Sequence, residues 1–254
     1  MIASFTQTYG DARKELYDLK EFDQPDIHFR KLCDRNFYSF HNCTADTVKY
    51  VLQKDWFKQS KFTPVFYPSL PQAISYPESW KRSLEMMKSK GVSKVVFLQD
   101  DVFAFGTSEQ YDELMNWVRT HEFKMIMMES PASQLGVEDQ PLLLDGNSIK
   151  IYSCTNELLV SRNPQMWSLD DAPYIADIDY LLETIYDSQY YRYPNIWQAE
   201  HYLKSKMDKT CIERNVCSDK LFDRTNIVGQ NTWNRGPTMK IMYEKLKDYG
   251  FPKQ

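Results

Sequence analysis

The chain has 254 residues, long for an average domain yet within the span of single α/β domains. Its 42% hydrophobic and 26% charged content is ordinary for a globular protein and excludes disorder, collagen and coiled coil as descriptions of the whole. A net charge of −4, without a long block of like charges, argues against a general nucleic-acid partner, which needs clustered Lys and Arg.

Residues 2–7 read as a buried strand, followed by a polar turn at Thr8-Tyr9-Gly10-Asp11. Ala12, Leu16 and Leu19 then recur at helical spacing and predict a helix over 11–21. A second strand is expected at 37–41. A helix over 45–54 follows, with Val48, Val51 and Leu52 as its apolar face. A short strand is expected at 62–67, where Pro64 points to an edge or a bulge. Pro68, Pro71 and Pro77 mark a loop. The helix over 78–90 carries Trp80, Leu84 and Met87 on one stripe and stops at Gly91. Val95-Val96-Phe97-Leu98 is the clearest strand of the chain. A helix over 108–121 is expected to begin with Ser108 as its cap, and 123–128 forms another buried strand. This β-α alternation implies a mostly parallel sheet with helices on both faces. Beyond residue 130 the pattern changes. Antiparallel strands are expected at 140–145 and 148–160 around the turn Asp145-Gly146-Asn147, then helices at 177–188, 196–207 and 238–248, with an irregular stretch over 211–236. No repeat or linker interrupts the chain, so 1–254 reads as one domain.

Absences narrow the chemistry. With 8 glycines, the chain has no GxGxxG, no GxxxxGK[ST] and no GxSxG, and HExxH is also missing. A nucleotide would therefore be held by carboxylates, metal and side chains. Apolar runs fall far short of the roughly 20 residues of a membrane helix. The start shows neither a basic n-region nor an apolar h-region, and a cytoplasmic protein without a transmembrane segment is expected. Five scattered cysteines without a CxxC pair read as reduced thiols.

The most informative stretch is Val95–Val102, an apolar strand that ends in Gln99-Asp100-Asp101. In open α/β sheets ligands bind beyond the carboxyl ends of the strands. Two carboxylates about 4 Å apart repel by roughly 4 kcal/mol at an effective dielectric of 20. A divalent cation turns that repulsion into attraction, and Mg²⁺ or Mn²⁺ prefers such oxygen donors. Neighbouring strand residues face opposite ways, so one Asp ligates directly, and Asp101 is favoured. Asp100 would then hold a ribose or a metal-bound water. Turn formation is the plainer explanation of the same pair.

This stretch resembles the DxD signature of glycosyltransferases with the GT-A fold, in its EDD variant. The segment IASFTQTYGDAR is similar to the first strand and turn of family 2 glycosyltransferases, and FYSFHNCTADT to their second strand. Together these motifs cover about residues 1–130. Gln99 departs from the acidic first position of the triplet, and His41-Asn42 from the acidic pair of the second turn. The resemblance implies an α/β GT-A fold with a nucleotide-sugar-binding half at 1–130 and an acceptor half at 131–254. It implies transfer of a sugar from a UDP- or GDP-sugar to a hydroxyl of a glycan, protein or small-molecule acceptor, with Mn²⁺ or Mg²⁺ and with inversion. Carried over, Thr8, Tyr9 and Asp46 would contact the nucleoside, with Gln99 and Asp100 beside them. Arg13 and Arg82 would meet the diphosphate, whose oxygens suit a guanidinium; a solvated helix face explains both arginines equally.

The same resemblance places the catalytic base at Asp177, which opens a helix in Tyr174–Leu182, with Asp179 and Glu200 as substitutes. An Asp at a helix start also caps it without any chemistry. His201 is a candidate third metal ligand. Trp167, Trp197 and Trp233 would pack on acceptor sugars, and Arg224, Asn226, Asn231 and Arg235 would belong to a lid. Two other functions fit less of this pattern: a nucleotidyltransferase, which usually carries a glycine-rich signature, and a non-catalytic carbohydrate-binding or assembly protein that keeps the fold.

Overall fold

The chain alternates strands and helices through its first half, as the hydrophobic pattern requires. The computed structural model describes residues 1–9, 14–41, 43–67, 76–163, 173–193, 196–207 and 212–224. In order the elements are β1 (Ile2–Tyr9), α1 (Lys14–Leu19), α2 (Gln24–Leu32), β2 (Arg35–His41), α3 (Ala45–Gln53), α4 (Asp55–Gln59), β3 (Phe62–Tyr67), α5 (Tyr76–Ser89), β4 (Lys94–Gln99) and β5 (Val102–Ala104). There follow α6 (Ser108–Thr120), β6 (Met125–Met127), α7 (Ala132–Leu135), β7 (Leu142–Asp145), β8 (Lys150–Tyr152), α8 (Asn156–Arg162), β9 (Tyr174–Asp177), α9 (Ile178–Tyr180), α10 (Ile196–Met207), β10 (Asn215–Cys217) and β11 (Phe222–Arg224).

Among the described residues nine strands form one sheet in the order β3-β2-β1-β4-β9-β6-β10-β8-β7. β3, β2, β1 and β4 are mutually parallel, and of these nine β9 and β8 run against the common direction. Strand alternation sorts the core. Phe5, Phe37, Val95 and Phe97 face α5, where Trp80 lies 5.0 Å from the Phe5 ring and 4.7 Å from that of Phe97. Val96, Leu98, Ile126 and Ile175 face the opposite way, onto α2 and α6. Burying each such side chain stabilises the fold by about 1.5–3 kcal/mol. Pro64 occupies β3, an edge strand, where a missing N–H costs least.

Several expectations are corrected. The cap of α6 is Thr107 rather than Ser108. Thr107 is extended and accepts from the Gln110 amide, while the Gln110 side chain returns to the Thr107 amide at 2.9 Å. The strand expected over 148–160 ends at Tyr152, because Thr155 caps a helix there instead. The hydrophobic pattern marks neither the helix over 24–32 nor β9, and β10 and β11 lie within the stretch that reads as irregular. The helix expected over 177–188 shrinks to α9 and a π turn at Leu181–Ile185. The expected helix over 238–248 lies outside the described residues.

Candidate functional site

The carboxyl ends of β1, β2, β3 and β4 share one edge of the sheet, and the acidic pair emerges there. Asp100 is buried and Asp101 half-buried in the turn from β4 to β5. The Asp100 amide donates to the Gln7 carbonyl at 3.2 Å, which ties the turn to β1. The Thr8 hydroxyl donates to Asp100 Oδ2 and lies 2.8 Å from the Tyr17 hydroxyl of α1. Thr8 is fully buried and supports Asp100. On the α5 face, Gln7 and Gln99 are opposite each other in register, and Gln7 Nε2 donates to Ser79 Oγ at 3.4 Å.

Asp46 lies at the same edge, exposed in the first turn of α3. Beside it, between α3 and the ends of β2 and β3, opens a largely apolar cavity of about 650 Å³ lined by Phe40, Val48, Lys49, Leu52, Phe66 and Tyr67. Tyr9 closes β1 opposite His41. Arg13, Trp167, Trp233, Asn226, Asn231 and Arg235 lie outside the described residues. Arg82 is an exposed member of α5, engaged by Glu78 at 2.8 Å. The backbone of Arg224 joins β11, which pairs with β5 so that Arg224 is opposite Val102, one residue from Asp101.

The base assignments fare differently. β9 runs antiparallel to β4, and Asp177 pairs with Lys94, the first residue of that strand. Six residues separate Lys94 from Asp100, roughly 20 Å of strand. Asp177 therefore stands at the foot of the sheet, where it caps α9 by accepting from the Tyr180 amide at 2.8 Å. Asp179 is beside it, paired with Lys88 at 2.6 Å. Neither reaches the edge that carries the acidic pair. Glu200, Trp197 and His201 belong to α10, which packs against α5 and the 190–192 turn. His201 is exposed and is not gathered with Asp100 and Asp101: among the described residues no three His, Cys, Asp or Glu side chains form a group.

An acid overlooked in the sequence does reach this edge. β6 shares the direction of β4, and Glu129 lies half-buried two residues past its end. The Met128 amide bonds the Pro173 carbonyl at 3.0 Å, which keeps this end of β6 beside the entry of β9. The signal was available as Met125–Glu129, an apolar strand ending in an acid, the pattern that marked Asp100.

The donor set at the β4 exit fits a hard divalent cation. It includes the carboxylates of Asp100 and Asp101, and Mg²⁺ commonly takes one or two carboxylates while phosphates and water complete its shell. Asp101 would hold it, with Asp100 fixed behind by Thr8. Among the described residues thiol chemistry is disfavoured: Cys33, Cys43, Cys154 and Cys217 are buried and free, and burial raises the Cys33 thiol to about 12 and that of Cys154 to about 11.

No protein-family model and no curated protein matches the chain. Solved structures do. S. aureus TarS 1–349 in complex with UDP-GlcNAc superposes with a TM-score of 0.55 at 11% identity, over 98% of this chain and 66% of that one. The fold is GT-A-like. A Bacillus anthracis protein described as a candidate glucose-1-phosphate thymidylyltransferase gives 0.51 at 9% identity, over 100% of this chain and 98% of that one. A mycobacterial protein gives 0.50 at 14% identity, over 100% and 76%. The chain spans 36% of a longer TarS chain. The α/β architecture and its mostly parallel sheet are those the strand pattern and the DxD resemblance imply. Among the described residues no helix is long and apolar enough to cross a membrane.

Proposed function

We propose that the chain is a glycosyltransferase that takes its sugar from a nucleoside-diphospho-sugar and passes it to an acceptor hydroxyl. The observation that carries this reading is the emergence of Asp100-Asp101 at the ligand edge of a GT-A-like sheet, with Asp100 locked in place by Thr8. A UDP- or GDP-sugar fits the edge between Asp46 and the acidic pair. Mn²⁺ or Mg²⁺ at Asp101 would offset the charge that grows on the departing diphosphate. Inversion needs a base within hydrogen-bond reach of the acceptor hydroxyl. Glu129 is the candidate, two strands from β4 and so about 10 Å across the edge. Glu200 stays a second candidate from α10. The acceptor is a glycan, a protein or a small molecule, and the single-domain division at residue 130 belongs to the same proposal.

Calorimetric titration with UDP, GDP and their sugars, with and without Mn²⁺, tests this. Metal-dependent binding is expected, and Asp101→Ala should weaken it by at least about tenfold, the scale of losing one charged ligand. Absence of binding by every nucleotide in the presence of Mn²⁺ would overturn the proposal. A second reading, nucleotidyl transfer, draws on the likeness to the Bacillus anthracis protein over nearly its whole length. Release of pyrophosphate from a nucleoside triphosphate and a sugar phosphate would favour it.

A further inference from the structure

Directly after the acidic turn, β5 is held on its inner side by two buried ionisable side chains from the segment between α1 and α2. The Lys20 ammonium donates to the Val102 carbonyl. It also lies 4.2 Å from the centre of the Phe103 ring and 3.6 Å from Asp23 Oδ2. Asp23 Oδ2 in turn accepts from the Ala104 amide at 3.3 Å, while Oδ1 caps α2 through the Asp26 amide at 3.3 Å. Three consecutive residues of β5 are therefore gripped, by carbonyl, ring and amide in turn. Lys20 and Asp23 are 5% and 3% exposed, and Val102 and Phe103 are as deeply buried.

Burying a lysine and an aspartate carries a large desolvation cost, which a well-packed apolar pair would avoid. Stability alone is therefore a weak explanation for them. Their bonds end on the backbone that begins one residue after Asp101. The turn is thus fixed from both sides: Thr8 and Gln7 hold Asp100 from β1, and Lys20 with Asp23 hold Val102–Ala104 from the α1–α2 segment.

We infer that Lys20 and Asp23 are positioning residues that set where the Asp101 carboxylate points, and so tune the affinity of the acidic turn for a divalent cation. This rests on the transferase proposal for the identity of the ligand, but not for the grip itself. Groups that orient a metal-binding carboxylate typically change metal affinity by roughly 10–100-fold when removed.

The test uses the full chain and two readouts. Mn²⁺ binding in the presence of UDP is followed by the loss of the free-Mn²⁺ resonance signal, and amide exchange is followed at Val102–Ala104. Lys20→Met should weaken Mn²⁺–UDP binding by about 10–100-fold. It should also speed exchange at these three amides more than at Met125–Met127, and Lys20→Arg should restore most of both. If Lys20→Met does not fold, Asp23→Ala, which removes the acceptor of the Ala104 amide, should act in the same direction. Wild-type affinity in a folded variant overturns the inference, including where exchange has quickened, because the grip would then serve stability alone. Should the wild-type chain itself bind no Mn²⁺–UDP, the transferase proposal falls, and unchanged exchange at Val102–Ala104 would overturn the grip independently.

Discussion

Asp23 is a carboxyl with an unusual environment. Burial pushes its pKa up to about 7; Lys20 opposes the rise and Asp26 adds to it. Such a group binds its proton in the folded chain at a pH where the unfolded chain, near the ordinary carboxyl value of 3.8, has already lost it. Stability then falls as pH rises, because the folded state holds more protons across that window. The contribution is fully present below about pH 4 and is lost as pH climbs through 7. The slope approaches about 1.4 kcal/mol per pH unit in between. Asp187, whose partial burial is outweighed by hydrogen bonds from Lys206 and Tyr202, titrates below this window. Urea unfolding between pH 4.5 and 7.5 (about three units) should show this decline, and Asp23→Asn, which keeps an acceptor and cannot ionise, should flatten it. A wild-type stability that rises across the same range would refute the assignment.

Elements whose ends are written in local chemistry were legible, and those decided by distant partners were not. α5 stops where Gly91 said it would. Gly91 takes φ +81°, its amide bonds the Lys88 carbonyl at 2.9 Å, and the Val92 amide bonds that of Met87 at 3.1 Å, with Val92 and Met87 in one core. A Cβ at Gly91 would meet no atom within 4 Å, so backbone strain alone sets the cost of Gly91→Ala. That cost should be about 1 kcal/mol, read as a lowered unfolding midpoint without change in urea sensitivity. β9 shows the opposite case. Tyr174-Ile175-Ala176-Asp177 has an apolar run too short to separate strand from helix by period. Its identity comes from fitting between β4 and β6, a pairing no local signal encodes. β11 is equally non-local: its partner β5 lies more than a hundred residues earlier, and the Tyr111 hydroxyl secures the adjoining Leu221 carbonyl at 2.6 Å.

At the scale of the molecule, strand direction decides which acids can meet. Asp100 and Asp101 were legible because a strand that runs with the sheet delivers its last residues to the ligand edge. Asp177 has the same local appearance, an acid after apolar residues, but it ends the strand that runs backwards and is delivered to the foot. Lys20, Asp23 and Tyr17 went unmarked because apolar periodicity says nothing of where a buried polar tip ends. Glu129 ends a strand that runs with β4 and reaches the edge that Asp177 misses. A paired substitution separates these positions. Asp177→Asn keeps the acceptor for the Tyr180 amide and should leave kcat for release of nucleoside diphosphate from a UDP-sugar within about twofold, since a preserved cap costs little. Glu129→Gln keeps shape and loses basicity, and should lower kcat by about 10²–10⁴, the usual contribution of a general base, with KM for the donor little changed. A large loss in Asp177→Asn with full activity in Glu129→Gln would mean that the sheet turns its other end to the substrate, and the edge assigned to the acidic pair would have to be abandoned.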